Sequence, residues 1–300
     1  MAVYDYAEQF EGELQKKYER ELTSYDLTTS NQGVKFLNAQ TIKLPTLSVS
    51  GYKNHTRGGS YNRGTVTNGW IPKKLEFDRD IEIVIDPMDI DETNLVLEVA
   101  NIHNVFEEEQ AIPEKDSYRY SKLYAEVESM EEQGAKKDEV ELDKANILEY
   151  FDERMAYMDD ESVPQEGRIM YITSGINKLF KEADGISRSI SVGAAGVINR
   201  NVHTIDDVKK IVVPSGRFKT AYNFTEGAVP SEDAQQMNMI LVHPSCVVSR
   251  DKYAYMKIFT PGHDSRTADN YLYQNRYYSD TFLMEKKATG ISINVSKKVV

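Results

Sequence analysis

Among its 300 residues the chain has one cysteine, Cys246, so no disulfide can form within it. A small cross-linked scaffold of the secreted type is therefore excluded. No stretch of about 18 apolar residues occurs, so no membrane-spanning helix is expected. The opening MAVYDYAEQF is acidic and has no apolar segment, and it is not read as a secretory signal. Internal repeats and low-complexity tracts are missing too.

Chemistry is also missing from the pattern. The five histidines, His55, His103, His203, His243 and His263, lie far apart and form no H-x-x-H pair. DPMDIDETN supplies Asp86, Asp89 and Asp91, but no start among them puts glycine sixth and glutamate twelfth, as a calcium loop needs. Helix capping is the better reading of those aspartates. There is no G-x-S-x-G elbow, no G-x-G-x-x-G and no Walker GK[ST]. Ser174 in YITSGIN reads as a helix cap, Gly193 and Gly196 as turn residues, and Cys246 in MILVHPSCVV as a buried thiol. No cofactor, metal or catalytic constellation is expected. The sequons at Asn54, Asn223 and Asn294 carry meaning only in a secreted chain.

One local absence stands out. The formal net charge is −12, yet no acid occurs between Asp26 and Glu76. That interval holds Lys35, Lys43, Lys53, Arg57, Arg63, Lys73 and Lys74. From Glu76 to Glu166 the balance reverses, with 29 Asp/Glu against 8 Lys/Arg. Opposite charges on separate parts of one chain let copies of it attract each other.

At the centre of the acid-free interval is SVSGYKNHTRGGSYNRGTVTNGW, Ser48 to Trp70, rich in glycine and holding Tyr52, Tyr61 and the only tryptophan. Ile42 and Leu44 alternate before it, then Leu47 and Val49 after Pro45. Beyond it Leu75, Phe77, Ile81, Ile83 and Ile85 alternate with charged residues. Period-two patterning marks half-buried strands, and Pro45 argues for an edge or bulge. The expectation is two long strands joined by a long basic tip. Hairpins normally close in about 2–5 residues, and longer tips are usually functional.

Elsewhere, Phe10, Leu14, Tyr18 and Leu22 fall along one side of a polar N-terminal helix. Asp89, with Glu92 three residues on, has capping-box spacing. Leu95, Val99, Ile102 and Phe106 then form one apolar stripe, ended by Pro113. DSYRYSKLYAEVESM is mixed. Leu148, Phe151, Met155 and Met158 have helical spacing, GRIMYIT reads as a buried strand and SGINKLFKEA as a short helix. The remainder is strand-rich. The class is α+β.

EQAIPEKDSYRYSKLY, VPQEGRIMYITSGINKLF, VKKIVVPSGRF, MILVHPSCVV and DNYLYQNRYYSDTFL, in this order along nearly the whole chain, carry a resemblance. The sequence resembles the major capsid (head) protein of tailed bacteriophages, of the Hong Kong ninety-seven-type fold. The resemblance implies an N-terminal arm over residues 1–30 and an extended two-stranded loop over 31–88. It further implies a spine helix with a peripheral domain over 89–186, and an axial domain over 187–300 whose last strands return towards the peripheral domain. It implies self-assembly into hexamers and pentamers of an icosahedral virion head, formed in the host cytoplasm, that encloses double-stranded DNA without reading its sequence. A portal protein is an implied partner. So is a separate scaffolding protein, because only residues 1–30 precede the loop. Lys53, Arg57, Arg63, Tyr52, Tyr61 and Trp70 would contact the acidic helical surface of another copy. Phe10, Leu14, Tyr18 and Leu22 would form arm contacts. Some relatives crosslink a loop lysine to an asparagine. Lys53 is the candidate lysine here, with no asparagine or glutamate partner that aligns. Two alternatives stay open: an encapsulin-like nanocompartment shell, and a single-strand nucleic-acid-binding protein using RGGSYNRG.

Overall fold

The computed structural model describes residues 21–28, 35–36, 40–55, 57, 59, 61–92, 99–183, 204–262 and 269–297. The chain begins with short β1 (Lys35–Phe36), then β2 (Thr41–Val49), β3 (Val66–Lys74) and β4 (Phe77–Ile85). Helices α1 (Pro87–Glu92), α2 (Val99–Phe106) and α3 (Ile112–Ser129) follow, the last two joined by a π-helical turn, Glu107–Ala111. Next come β5 (Lys136–Asp138), α4 (Ile147–Asp160), β6 (Ile169–Thr173) and α5 (Ser174–Glu182). The remainder is strand: β7 (Thr204–Ile205), β8 (Val208–Val213), β9 (Tyr222–Asn223), β10 (Val229–Pro230), β11 (Met237–Val242), β12 (Val247–Phe259), β13 (Tyr271–Leu283) and β14 (Ile291–Val295). The α+β reading holds.

Two sheets carry the body. Six strands run in the order β5-β14-β11-β6-β8-β7, and three in the order β12-β13-β4. The first is covered on both faces. On one side Tyr120, Leu123 and Val127 of α3 pack on Tyr171, Ile240 and Ile293. On the other, Phe151 and Met158 of α4 and Phe180 of α5 pack on Met170, Ile172 and Leu241. That two-sided cover explains why β6 is apolar at nearly every position instead of alternating. In the three-stranded sheet β4 alternates, as a strand with one wet face should. Ile81, Ile83 and Ile85 of β4 lie with Tyr273, Ile102 and Phe106, and Asp78, Asp80 and Glu82 point out. The division expected at residue 187 cuts across both sheets, since β5 and β6 share one with β8, β11 and β14, and β4 shares the other with β12 and β13.

The helical stretch departs from its expectation at α1 and at Pro113. Asp86, not Asp89, is the cap: its Oδ1 accepts from Met88 N at 2.9 Å, with Pro87 in the first turn. Pro113 does not end the helix. Ile112 N donates five residues back to Glu107 O, so the ladder changes register just before the proline, whose missing N–H would otherwise break it. Residues 99–129 thus run on as α2, π turn and α3, about 45 Å at 1.5 Å per residue. DSYRYSKLYAEVESM looked mixed because α3 buries Asp116, Ser117 and Arg119 among its apolar residues. Leu95 lies outside the described residues. The N-cap of α5 is Thr173, whose Oγ1 accepts from Ile176 N at 3.3 Å, with Ser174 already inside the helix.

Candidate functional site

The hairpin is built by β2 and β3, not by β2 and β4. Their register runs from Thr41↔Lys74 to Val49↔Val66. One further rung follows: Ser50 N donates to Thr65 O at 3.0 Å and Thr65 N to Ser50 Oγ at 2.9 Å. The ladder therefore zips further than the glycine content implied, and Trp70 sits in a strand opposite Pro45 rather than in the tip. β1 reaches only Ile42 and Lys43, so β2 is an edge at Pro45, as a strand proline requires.

The described residues of the tip, between 51 and 64, make few bonds. Asn62 Nδ2 donates to Asn54 O at 2.9 Å, Lys53 Nζ to Arg63 O at 3.4 Å, and the His55 and Tyr61 rings lie 5.9 Å apart. Lys53, Arg57, Arg63, Tyr52 and Tyr61 are all exposed. Among the described residues no carboxylate forms an ion pair with these three cations.

The root of the hairpin is held firmly. Ile42 and Leu44 are buried with Leu75, Val248 and Phe282. Lys73 Nζ is 3.2 Å from Glu126 Oε2 on α3, and Lys286 Nζ donates to Leu47 O at 2.7 Å. Leu75 and Glu76 join the hairpin to β4, and side chains of β13 grip their backbone. Tyr278 O–H donates to Leu75 O at 2.8 Å, and Asp280 Oδ2 accepts from Glu76 N at 2.9 Å. Asp280 Oδ1 also accepts from Tyr118 O–H at 2.8 Å. Burial holds the Asp280 carboxyl above the usual carboxylate range, with the bonds from Tyr118, Thr281 and Glu76 opposing.

A second anchor ties the N-terminal part to α3. Asp116, fully buried, accepts from Thr23 N (3.1 Å), Thr23 Oγ1 (2.8 Å), Ser24 N (3.0 Å) and Arg217 Nη1 (3.1 Å). Arg119 Nη1 donates to Ser24 Oγ at 3.0 Å, Lys209 pairs with Asp26 at 2.6 Å, and Leu27 enters the main core. Of the arm residues, Leu22 is half-buried; Phe10, Leu14 and Tyr18 lie outside the described residues. Asp116, Arg217, Tyr278 and Asp280 were not singled out in the sequence, because polar residues at these spacings look like ordinary surface until the fold brings them together.

Much of the acid on α3 is consumed within the copy. Glu114 pairs with Arg79 (2.7 Å), Glu126 with Lys73 (3.2 Å) and Glu128 with Lys137 (2.9 Å), which Glu131, just past the helix, also reaches at 3.2 Å. Exposed carboxylates remain on the outer face of β4, at Asp80 and Glu82, and on α4, at Asp152 and Asp160. No group of three potential metal ligands occurs among the described residues. Cys246 is buried, which pushes its thiol up to about 12 and leaves it unreactive at neutral pH.

No family model and no curated protein matches the chain. Solved structures do. The asymmetric unit of bacteriophage PhiM1 mature capsid superposes with a TM-score of 0.65 at 12% identity, over 99% of this chain and 93% of that one. This is the tailed-phage capsid fold. The capsid structure of cyanophage P-SCSP1u matches with a TM-score of 0.64 at 11% identity, over 98% and 93% of the two chains. A chain of Mycobacterium phage Che8 matches with a TM-score of 0.60 at 10% identity, over 98% of each. At such identities the capsid fold is preserved by the placement of its elements, with few side chains in common.

Proposed function

We propose that this chain is the major capsid protein of a tailed phage, assembling head to tail into hexamers and pentamers of an icosahedral head around double-stranded DNA. The observation that carries the reading is the near full-length likeness to the PhiM1 mature capsid, with a hairpin that is anchored at its root and bare at its tip. In this reading β2–β3 is the extended loop and α2–α3 the spine. The three-stranded sheet is the core of the peripheral domain and the six-stranded sheet that of the axial domain. Residues 1–30 form the arm, joined to the body at Asp116. Portal and scaffolding proteins are the expected partners. Heterologous contacts of this kind close into rings, and many weak ones acting together give a stable shell.

Lys53, Arg57 and Arg63 meet carboxylates of a neighbouring copy. Because the α3 acids are largely paired internally, the exposed Asp80 and Glu82 are the better receivers. The test is electron microscopy of the expressed chain, with its scaffold if one is required. Closed shells of uniform diameter are expected. A monomer that binds oligonucleotides with steep salt dependence would overturn the reading. Arg57→Glu with Arg63→Glu should leave a folded, soluble subunit that makes no shells; normal particles would contradict the role given to the tip.

A further inference from the structure

We propose that the N-terminal segment, residues 8–22, docks as a helix on the uncovered edge of its own copy's three-stranded sheet, seating Tyr18, Leu14 and Phe10 against Ala254, Met256 and Ile258. Phe10, Leu14 and Tyr18 lie outside the described residues, and their stripe is a property of the sequence. The inference concerns the single subunit and goes beyond the proposed function.

The register of the sheet exposes the strip. Ala254, Met256 and Ile258 of β12 stand opposite Tyr277, Asn275 and Tyr273 of β13, which stand opposite Arg79, Ile81 and Ile83 of β4. These residues share the face that α2 and α3 cover. Ile81, Ile83, Ile102 and Phe106 gather around Tyr273, and Glu114 pairs with Arg79. The cover stops short of β12. There Ala254 is exposed, Met256 is 50% exposed and Ile258 41%. An apolar strip beside a helix, on the face that the helix already covers, is completed by a second helix laid next to the first.

Continuity of the chain names the occupant. Arg119 on α3 donates from Nη1 to Ser24 Oγ at 3.0 Å and from Nη2 to Asp251 Oδ1 at 3.4 Å. The N-terminal segment is therefore fixed to the body near Asp251, at the inner end of the strip. Leu22, half-buried, precedes the anchoring Thr23 and Ser24 directly, so no linker separates the stripe from its anchor. Inwards from Asp251, β12 enters the core, with Val247 and Val248 fully buried, so apolar cover is needed only outwards. The spacings match. Four residues of helix rise about 6.0 Å, and two residues of strand about 6.6 Å. Counted outwards from the anchor, Tyr18, Leu14 and Phe10 fall in turn over Ala254, Met256 and Ile258. A helix of about 15 residues is marginal alone in water, and Gly12 weakens this one, so covering its stripe decides whether it forms. Attachment to the same chain gives this segment a high effective concentration at the strip, an advantage over any other copy's segment.

The test uses the isolated full-length subunit. Brief trypsin treatment read by mass spectrometry should cut the wild-type chain slowly at Lys16, Lys17 and Arg20. Met256→Ser with Ile258→Ser should speed cleavage at these three sites by about tenfold or more, because two apolar contacts that hold the segment are lost. Leu14→Ser, a change outside the body, should do the same. Leu14→Cys with Met256→Cys, oxidised at low protein concentration, should form a disulfide within one chain, seen as a faster gel band that reduction removes; Cys246 is buried and does not compete. Leu14→Cys with Val84→Cys, on the other face of the sheet, should not. Cleavage at wild-type rates in both serine variants would overturn the docking. Linked dimers in place of the faster band would show a second copy's segment on the strip and would overturn docking within the chain. Every readout is taken on the single subunit, so a failure of shells to form leaves this inference standing, and its own failure leaves the proposed function standing.

Discussion

Asp116 shows what one residue does in this molecule. It lies on the long helix, fully buried, and receives donors from Thr23, Ser24 and Arg217, far away in sequence. A buried carboxylate is tolerable only with such partners. Asp116→Ala would leave the Arg217 guanidinium without this counter-charge and two backbone N–H groups without an acceptor. Urea unfolding of the subunit should show a loss of about 3–5 kcal/mol; a loss below about 1 kcal/mol would mean that the network does not lock the N-terminal segment to the helix. Nothing in SYRYSK announces this role. The same helix has Glu126 serving Lys73 beside the hairpin root, and a sequence cannot tell a buried acid from a solvated one when both sit among lysines.

Among the elements, the junction at Leu75 and Glu76 decides how the hairpin stands relative to the body. Tyr278 and Asp280 bond its backbone directly, so the angle is set by side chains of β13. Tyr278→Phe keeps the ring and removes one hydrogen bond of about 0.5–1.5 kcal/mol. Amide exchange at residues 75–77 should accelerate roughly two- to tenfold, with β6 and β11 unaffected. No local change would show that the junction is held by packing alone. What was legible at this scale follows the physics of patterning. β4 alternates because one face is wet, and it was found. β6 is apolar throughout because it is covered twice, and it was found. The pairing of β2 was misassigned, since two alternating strands, β3 and β4, follow one another and only tertiary structure decides which of them turns back. The long helix was cut short at Pro113, because a register change of one residue leaves no mark in composition.

For the whole molecule, charge of opposite sign is held on different elements. The hairpin tip is basic, and the outer face of the three-stranded sheet offers Asp80 and Glu82. Separation of this kind stabilises the chain only when copies associate, so stability should depend on assembly state. The assembled protein should melt at a higher temperature than the dissociated subunit, and the melting temperature should rise with protein concentration. Calorimetry at several concentrations checks this, and a concentration-independent transition shared by both states would contradict it. The family resemblance was recognisable without any catalytic motif because the order of elements is distinctive, and the likeness to PhiM1 at 12% identity says the same in three dimensions.

The β12–β13 ribbon begins in the main core, at Val247 and Leu283, and each of its strands is 13 residues long. At about 3.3 Å per residue it reaches some 40 Å from that root. It behaves as a lever: a tilt of about 5° where it leaves the core would swing its far end by about 3–4 Å, on the length given by that rise. A shift of that size exceeds the reach of a hydrogen bond. Polar contacts made at the outer end must therefore let go and re-form whenever the inner end adjusts, whereas a greasy contact can slide.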